Sequence, residues 1–427
     1  MNAVPKAVPK AGPKAPVRRR RVVVTGIGPV TSIGTGADAF RRALRAGRDG
    51  AGPITGIDVA GFEHTQGCEV RGFDPAAHLD VLDPAEWGRA ALFTATAARL
   101  AVADAGLDAE TLRPLRTVVA VGTTDGESQD LDALVRQRAE RGPSAMDPAL
   151  ARRVAPIRLA VAAARELGLT DVEPLTVSTA CAAGNYAIGH SLDAVGSGAA
   201  DIALCGGADA LCRKTFAGFY RLGTIAPERC RPFDADRNGI LTGEGAGMLV
   251  LEPLEAALRR GARVYAEVLG YGLNCDADHP VAPNEESIAR CMRLALEDAG
   301  VKPSDVDLVS AHGTGTRAND VTETRAIRRV HGDDPPRTVS VKSMIGHTMG
   351  AAGALASAAC ALSIHHGFVP PTINHRRTDP ECAIDCVPNR ALPVRPRIVQ
   401  NNALAFGGTN CVLILGRCDE AERGGAR

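Results

Sequence analysis

The chain has 427 residues, of which 45% are hydrophobic and 3% aromatic, and its formal net charge is zero. This content predicts a large aliphatic core, and the lack of a basic, aromatic-rich face excludes nucleic acid as an expected partner. No apolar run approaches the roughly 20 residues that cross a bilayer. We therefore expect no membrane association and a cytoplasmic location.

Twelve cysteines are scattered along the chain without a CxxC pair. That spacing predicts reduced thiols in a reducing compartment. Because no second Cys/His pair accompanies the closest two, Cys382 and Cys386, we expect no metal site.

The first 20 residues have proline at positions 5, 9, 13 and 16 and end in a run of arginines. Such a segment has too few apolar groups to form a core, so residues 1–20 are expected to be a disordered, basic tail. Residues 417–427 are assigned to a C-terminal tail.

Between these tails, short apolar runs alternate with helical patterns. Strands are expected at 21–28, 118–121, 174–177, 201–205, 248–251, 264–270, 306–311, 337–341, 397–404 and 411–415, and helices at 36–46, 86–105, 285–299, 320–330 and 351–365. This alternation is typical of a mostly parallel sheet covered by helices, which is an α/β fold.

One stretch reads as strand, sharp turn and buried helix, and it carries Cys181 at the turn. The free N–H groups and the positive end of a helix dipole favour a thiolate, so Cys181 is placed as a nucleophile. A free cysteine can equally be a small buried hydrophobe. The partners of Cys181 have to decide between these two interpretations.

Two histidines, His312 and His347, also follow strand-like runs and stand beside glycines. Each alone could be a structural histidine. Lys342 precedes His347 in a chain whose only lysines are at positions 6, 10, 14, 214, 302 and 342, and its compact ammonium suits a charge network. Reactive residue types at three such turns indicate one composite site.

The run from Asp234 to Gly239 mimics the start of a calcium loop. The glutamate that such a loop needs at its twelfth position is replaced by Gly245, so calcium is not expected.

Together with the segment 402–410, these motifs resemble the β-ketoacyl-[acyl-carrier-protein] synthases of the thiolase superfamily, above all the elongating ketosynthases of dissociated fatty-acid and type II polyketide systems. The resemblance runs from about residue 21 to residue 416. It implies a duplicated, five-layer αβαβα thiolase-like fold. The N-terminal half, 21–258, would carry the nucleophile, and the C-terminal half, 259–416, both histidines.

The resemblance also implies a decarboxylative Claisen condensation. Cys181 would take an acyl group from an acyl-carrier-protein thioester. A malonyl-carrier protein would then lose carbon dioxide, and its enolate would attack the acyl group to give a 3-oxoacyl thioester. His312 and His347 would donate hydrogen bonds to the enolate oxygen. No cofactor is implied beyond the phosphopantetheine arm of the carrier.

Supporting roles follow from the same resemblance. The backbone N–H groups of Cys181 and Phe406 would form an oxyanion hole, and Phe406 would also be a gate. Asp320 and Glu323 share one helix face, where Lys342 could reach both. The residues expected to contact the pantetheine arm are Thr314 and Thr316.

The loop 122–128 corresponds to a segment that lines the acyl tunnel of a dimer partner, which makes Thr124 and Asp125 tunnel candidates. Either Asp125 and Glu127 cap a helix and face solvent, or they polarise the tunnel. A buried carboxylate would then need a basic partner or a polar substrate.

Ala405 departs from the glycine usual in the family and is expected to restrict the gate. With Asp125, it favours polyketide or polyene biosynthesis over housekeeping fatty-acid elongation, the alternative function. A non-catalytic chain-length factor would lack the cysteine, and a thiolase would carry a different C-terminal cysteine motif. The expected partners are an acyl carrier protein and either a second copy or a chain-length-factor-like subunit.

Overall fold

The computed structural model of the protein describes residues 19–418. The predicted tail at 1–20 lies almost wholly outside the described residues, as does the predicted tail from residue 419 to its end. Within residues 19–418, the chain folds into thirteen strands and thirteen α-helices, with short 3₁₀ turns between them.

The strands are named in chain order. They are β1 Val22–Thr31, β2 Gly34–Thr35, β3 Gly52–Pro53, β4 Gln66–Gly67, β5 Thr117–Gly122, β6 Val172–Val177, β7 Ile202–Asp209, β8 Gly245–Pro253, β9 Ala266–Cys275, β10 Leu308–Ser310, β11 Arg337–Val339, β12 Ile398–Leu404 and β13 Thr409–Gly416. Every strand predicted from the apolar runs is present.

The helices follow the same convention. They are α1 Ala37–Ala46, α2 Arg89–Asp104, α3 Ala109–Leu112, α4 Ser128–Arg141, α5 Pro148–Arg153, α6 Arg158–Glu166, α7 Ala183–Ser197, α8 Arg213–Arg221, α9 Leu254–Arg259, α10 Glu285–Ala299, α11 Arg317–His331, α12 Lys342–Ile345 and α13 Ala352–His366. The five helices expected from periodicity are confirmed, and the polar helices α4 and α8 were not predicted.

The sheet contains the same arrangement twice. Each half has five principal strands, which are β1, β5, β6, β7 and β8 in the first half and β9 to β13 in the second. Numbered within its own half, each set lies side by side in the order third, second, fourth, fifth, first, which is β6-β5-β7-β8-β1 in one half and β11-β10-β12-β13-β9 in the other. The two groups join where β1 pairs with β9 at Val23 and Val24. This repetition confirms the expected duplicated fold, while the exact division at residue 258 stays a prediction.

Within each half the first four strands run in one direction, as expected for a mostly parallel sheet, whereas the fifth strand runs antiparallel to both of its neighbours. In the second half the reason lies in the connection: β12 ends at Leu404 and β13 begins at Thr409. So short a turn can only reverse the chain, whereas parallel strands need a long crossover.

Helices α7 and α13 lie at the centre of the molecule, between the two strand groups. Small residues let these helices approach closely: a Cβ atom added to Gly184 would lie 2.8 Å from the backbone nitrogen of Ala354. Helices α2 and α6 cover the first strand group, and α10 and α11 cover the second. The five layers position the ends of α7 and α13 beside each other, where the candidate site lies.

Candidate active site

The turn that precedes α7 holds Cys181 in a constrained backbone. Ala180 has φ +47°, in the left-handed region that non-glycine residues seldom adopt, and a 3₁₀ turn spans Ala180–Ala182. Cys181 is buried, with 5% of its surface exposed. Strain of this kind persists only where the surroundings impose it, and here it holds the sulfur at the N-terminal end of a buried helix.

Burial opposes the thiolate that the helix terminus favours. It raises the pKa of the Cys181 thiol to about 12, and the nearby ammonium of Lys342 opposes that rise only in part. A thiol with this pKa carries its proton at neutral pH, so the proton has to leave during the reaction.

Cys181 opens into a cavity of about 110 Å³ that both predicted histidines also line. The rings of His312 and His347 lie 5.3 Å apart between centroids and meet nearly edge to face, at 80°. His312 follows β10, and His347 lies between α12 and the 3₁₀ turn before α13. The first half of the chain thus supplies the sulfur, and the second half supplies both imidazoles.

Hydrogen bonds orient both imidazoles in the same way. The backbone N–H of Met349 donates to Nδ1 of His347 at 3.1 Å, and Nζ of Lys342 lies 3.4 Å from Nδ1 of His312. An ammonium has no acceptor, so Nδ1 accepts in each ring and the proton of the neutral imidazole is on Nε2. Both rings are then hydrogen-bond donors at Nε2.

The same surroundings keep both rings neutral. Burial lowers the pKa of His312 well below its usual value, and the charge on Lys342 lowers it further. His347 is shifted in the same direction by the same two causes. Neutral, fixed N–H donors can stabilise a developing oxyanion without first rearranging.

Lys342 is buried behind His312 and does not contact the predicted carboxylates. Its ammonium donates to the carbonyl oxygen of His312 at 2.7 Å, and within residues 19–418 it forms no ion pair with Asp320 or Glu323. The expected direct contact of one ammonium with both acids is therefore not formed, but the charges of both still act on it. Burial lowers the pKa of Lys342, and the charges of Glu323 and Asp320 oppose that change.

The two carboxylates have other partners. Glu323 accepts the backbone N–H groups of His312 and Gly313, each at 2.8 Å, so it fixes the histidine backbone directly. Asp320 lies 3.6 Å from the guanidinium of Arg237. Helix spacing correctly put both acids on one face, but it could not show that the cation opposite Asp320 comes from a loop far away in the sequence.

Phe406 lines the cavity from the short turn between β12 and β13. The hydroxyl of Thr409 donates to the carbonyl of Thr179 at 3.4 Å, which joins this turn to the turn that carries Cys181. The conformation of Ala405 is extended, with φ −137°, so any residue can adopt it here. The left-handed conformation occurs instead at Gly407, with φ +81°.

The predicted arm contacts also lie at the cavity. Thr314 and Thr316 line it, and their hydroxyl oxygens are 2.9 Å apart. Thr316 additionally caps α11 by accepting the backbone N–H of Asn319. Two further side chains line the cavity and were not predicted from the sequence: the phenyl ring of Phe219 and the imidazole of His279.

The tunnel candidates are elsewhere. Thr124 and Asp125 do not line this cavity. The Asp125 side chain is 2% exposed and accepts from Nζ of Lys214 at 2.8 Å and from the hydroxyl of Thr215 at 2.6 Å. Asp125 therefore does not face solvent, and its basic partner comes from this chain.

Glu127 is also buried, and it is the residue that caps a helix. Its carboxylate accepts the backbone N–H groups of Ala90 and Ala91 at the start of α2. Burial raises the pKa of Glu127 to about 7. Of the two open interpretations of this loop, capping thus holds for Glu127, though without solvent exposure.

Asp209, at the end of β7, supports the site and was not predicted. It is fully buried and accepts the backbone N–H groups of Thr124, Asp125 and Gly350 at 2.9, 2.9 and 2.6 Å. Burial raises the pKa of Asp209 to about 7. The only signal in the sequence is an acidic residue that ends a strand of small and apolar residues.

Among residues 19–418, no group of three or more His, Cys, Asp or Glu side chains is arranged to hold a metal ion. No disulfide bond joins two cysteines of these residues. In the same part of the chain, no helix is long and apolar enough to cross a membrane.

Two family profiles match this chain. Residues 19–257 match the β-ketoacyl synthase N-terminal domain, and residues 265–376 match the β-ketoacyl synthase C-terminal domain. Together these matches cover most of the chain.

Named relatives agree with the profiles. Nodulation protein E of Rhizobium sp. (strain N33) is 40% identical over 92% of this chain and 98% of its own length. The 3-oxoacyl-[acyl-carrier-protein] synthase 2 of Synechocystis sp. is 37% identical over 93% of this chain and 98% of its own. A solved structure described as the ishigamide ketosynthase/chain length factor superposes with a TM-score of 0.93 at 59% identity, over 94% of this chain and 100% of that one.

Proposed function

Because the chain belongs to the β-ketoacyl synthase family, we propose that its cavity condenses an acyl group held on Cys181 with a malonyl-carrier thioester. One observation carries the assignment of residues: a sulfur from the first half and two imidazoles from the second half line the same small cavity. The imidazoles are neutral N–H donors, which suits a reaction that develops negative charge on a thioester oxygen.

In the first half-reaction, Cys181 Sγ attacks the carbonyl carbon of an acyl-carrier thioester. The new carbon–sulfur bond forms, the bond to the carrier sulfur breaks, and the cysteine proton ends on the released carrier thiol. Backbone N–H groups of Cys181 and Phe406 are the proposed donors to the intermediate oxyanion. The covalent acyl-enzyme divides a difficult condensation into two easier steps.

In the second half-reaction, the bond between the malonyl carboxylate and its α-carbon breaks and carbon dioxide leaves. The electron pair moves onto the thioester oxygen, where Nε2–H of His312 and Nε2–H of His347 donate hydrogen bonds. The enolate carbon then attacks the acyl carbonyl and releases the Cys181 sulfur as a thiolate, which takes a proton from water to restore the thiol. The product is a 3-oxoacyl-carrier thioester, and no cofactor other than the carrier's phosphopantetheine enters the scheme.

Lys342 and Glu323 would act through His312 and not on the substrate. The ammonium at the His312 carbonyl and the carboxylate at the Gly313 N–H bind the two sides of one peptide group. Thr314 and Thr316 would bind the pantetheine arm at the mouth of the cavity.

For the pathway, we propose type II polyketide or polyene biosynthesis with an acyl carrier protein and a chain-length-factor-like subunit as partners. The observation that favours it is the 59% identity to a structure described as a ketosynthase/chain length factor. Housekeeping fatty-acid elongation by a homodimer is the second candidate, favoured by the 37% identity to a 3-oxoacyl-[acyl-carrier-protein] synthase 2. A cytoplasmic location stays a prediction.

The test is to incubate the purified protein with hexanoyl- and malonyl-carrier protein and to weigh the carrier by mass spectrometry. We expect a carrier that gains a 3-oxooctanoyl group, and an enzyme that gains one hexanoyl group when malonyl-carrier is omitted. Mapping of the acyl group to a cysteine other than Cys181 would refute the assignment. Activity of the chain alone would favour the homodimer, and activity only after co-expression with a chain-length-factor-like subunit would favour the heterodimer.

A further inference from the structure

The loop from Arg231 to Gly239 belongs to the first half of the chain but packs into the second. This is the loop whose acidic run mimics a calcium site. The carboxylate of Asp234 accepts the backbone N–H groups of Asp236, Arg376 and Arg377, at 2.8, 2.5 and 2.8 Å. The acidic run therefore anchors the loop to a distant segment of the C-terminal half.

Arg237 is the buried centre of this loop, with 1% of its side chain exposed. Its guanidinium donates to the carboxylate of Asp379 at 2.6 Å and to the carbonyl of Asp234 at 2.8 Å. It also lies 3.6 Å from the carboxylate of Asp320. Two acids therefore compensate one buried cation, which fixes the guanidinium in a single position.

The same guanidinium reaches the cavity wall. Nε of Arg237 donates to the carbonyl of Thr316 at 3.4 Å. The neighbouring Gly239 donates its N–H to the carbonyl of Gly315 at 3.0 Å, and Asp320 accepts the N–H of Gly315 at 3.2 Å. Arg237, its loop and its acidic partner thus hold the backbone of 314–316 from behind, while the threonine side chains line the cavity.

Thr316 also lies at a junction of two spaces. An open cleft of about 590 Å³ is lined by Arg237, Asn238 and Arg317. It shares Thr224, Thr316 and Ala318 with the catalytic cavity. A flexible arm that carries an acyl group to Cys181 through this cleft would pass the backbone that Arg237 holds.

We propose that Arg237 is a positioning residue that sets the affinity for the carrier-bound substrate, through the segment 314–316, without taking part in the chemistry at Cys181. This inference rests on the proposed function, because the proposed function assigns the arm-binding role to Thr314 and Thr316. From the sequence, the only expectation for this loop is that it does not bind calcium.

The test compares Arg237→Lys with the wild-type enzyme in steady-state condensation, using hexanoyl- and malonyl-carrier protein. A lysine ammonium cannot reach two carboxylates and the Thr316 carbonyl together, because it lacks the planar fork of a guanidinium. We expect KM for hexanoyl-carrier protein to rise at least fivefold while kcat stays within twofold. The rate at which iodoacetamide alkylates Cys181, read by intact mass, should not change, since this reagent has no arm.

Asp379→Asn is the second variant, and it decides the matter if Arg237→Lys does not fold. It removes one counter-charge while an amide oxygen still caps the turn Pro380–Cys382, so KM should rise about two- to threefold. The matched control is Arg377→Lys, whose guanidinium pairs with Asp236 on the exposed side of the same loop. This control should leave KM, kcat and alkylation unchanged.

Three results would overturn the proposal: an unchanged KM in Arg237→Lys and Asp379→Asn, a fall in kcat at constant KM, or slowed alkylation of Cys181 in step with the loss of turnover. The last two would mean that the loop supports the reactive geometry in general. A wild-type enzyme that alkylates normally but condenses nothing, both alone and co-expressed with a chain-length-factor-like subunit, would instead refute the proposed function, and with it this role of Arg237.

Discussion

The two halves of the chain contain the same strained turn and use it differently. In the first half, Ala180 has φ +47°, a 3₁₀ turn covers Ala180–Ala182, and α7 begins at Ala183. In the second half, Met349 has φ +49°, a 3₁₀ turn covers Met349–Ala351, and α13 begins at Ala352. Aligned residue by residue, Cys181 corresponds to Gly350.

The residue at the shared position differs between the halves, and this difference explains why the two turns have different roles. In the first half it is a sulfur that faces the cavity. In the second half it is a glycine whose N–H donates to the buried Asp209 at 2.6 Å, and a Cβ atom there would lie 2.5 Å from the Cα of Thr123. The duplicated turn thus carries the proposed nucleophile in one half and a close backbone contact in the other, with His347 three residues ahead of that contact.

Replacing Cys181 with alanine should have the largest effect on activity, because it removes the sulfur that distinguishes the first turn from the second. We expect acyl transfer and condensation to fall by at least about a thousandfold, as loss of a nucleophile typically does. Some decarboxylation of malonyl-carrier should persist, because both histidines remain. Intact-mass detection of the acyl-enzyme measures the first effect, and carbon dioxide release measures the second.

The control is Cys275→Ala, since Cys275 is exposed and does not line the cavity. Acylation that survives in Cys181→Ala and disappears in Cys275→Ala would reverse the assignment.

Replacing His347 with alanine tests the contribution of the second half. Loss of one oxyanion donor should lower decarboxylative condensation by about 10²- to 10³-fold. Formation of the acyl-enzyme on Cys181 should continue, because in this scheme the imidazole acts in the second half-reaction. Pre-acylated enzyme mixed with malonyl-carrier protein separates the two steps. An equal loss of both steps would show that the imidazole is also needed to activate the sulfur.

Gly350→Ala asks whether the second turn could have kept a side chain. Because the new Cβ would meet the backbone of Thr123, the structure has to shift, and overpacking of this kind lowers the free energy of unfolding by about 1–3 kcal/mol. Chemical denaturation measures the change. Gly218→Ala is the control, because nothing lies within 4 Å of its Cβ position and it is helical. A Gly350→Ala variant as stable as this control would remove the proposed reason for the glycine.

The smallest expected effect concerns pH. Burial and Lys342 lower the pKa of both His312 and His347 well below the usual value, so both rings stay neutral throughout pH 6–8. The rate at which pre-acylated enzyme consumes malonyl-carrier should therefore vary less than about twofold in that range. A fall in rate on acidification with a midpoint near the ordinary histidine pKa of about 6.5 would show that the rings are solvated.

Much of the fold could be predicted from the sequence because buried strands are apolar and β-branched, as in Val22–Val24, and because the central helix 352–366 has small residues on every side. Strand direction could not be predicted in this way, since an apolar run is the same in either direction. Helix α4 escaped notice because only two of its residues are buried.

The site shows the same limit at the level of side chains. Position along the chain marked Cys181, His312 and His347, and a resemblance suggested that they meet. Neither could reveal that Lys342 contacts a backbone carbonyl or that Arg237 is the cation beside Asp320. Those contacts depend on how segments distant in the sequence pack together. The surroundings of Asp125 could not be decided from the sequence for the same reason, because its partner, Lys214, lies on a helix that was not predicted.

The junction between β1 and β9 involves only two residue pairs, Val23 with Glu267 and Val24 with Ala266. Each half keeps its own ladder of hydrogen bonds on either side of that seam. The sheet therefore contributes little to holding the halves together. The position of the sulfur relative to the imidazoles depends instead on the packing of α7 against α13 and on the buried Asp209, which binds Gly350 across the halves.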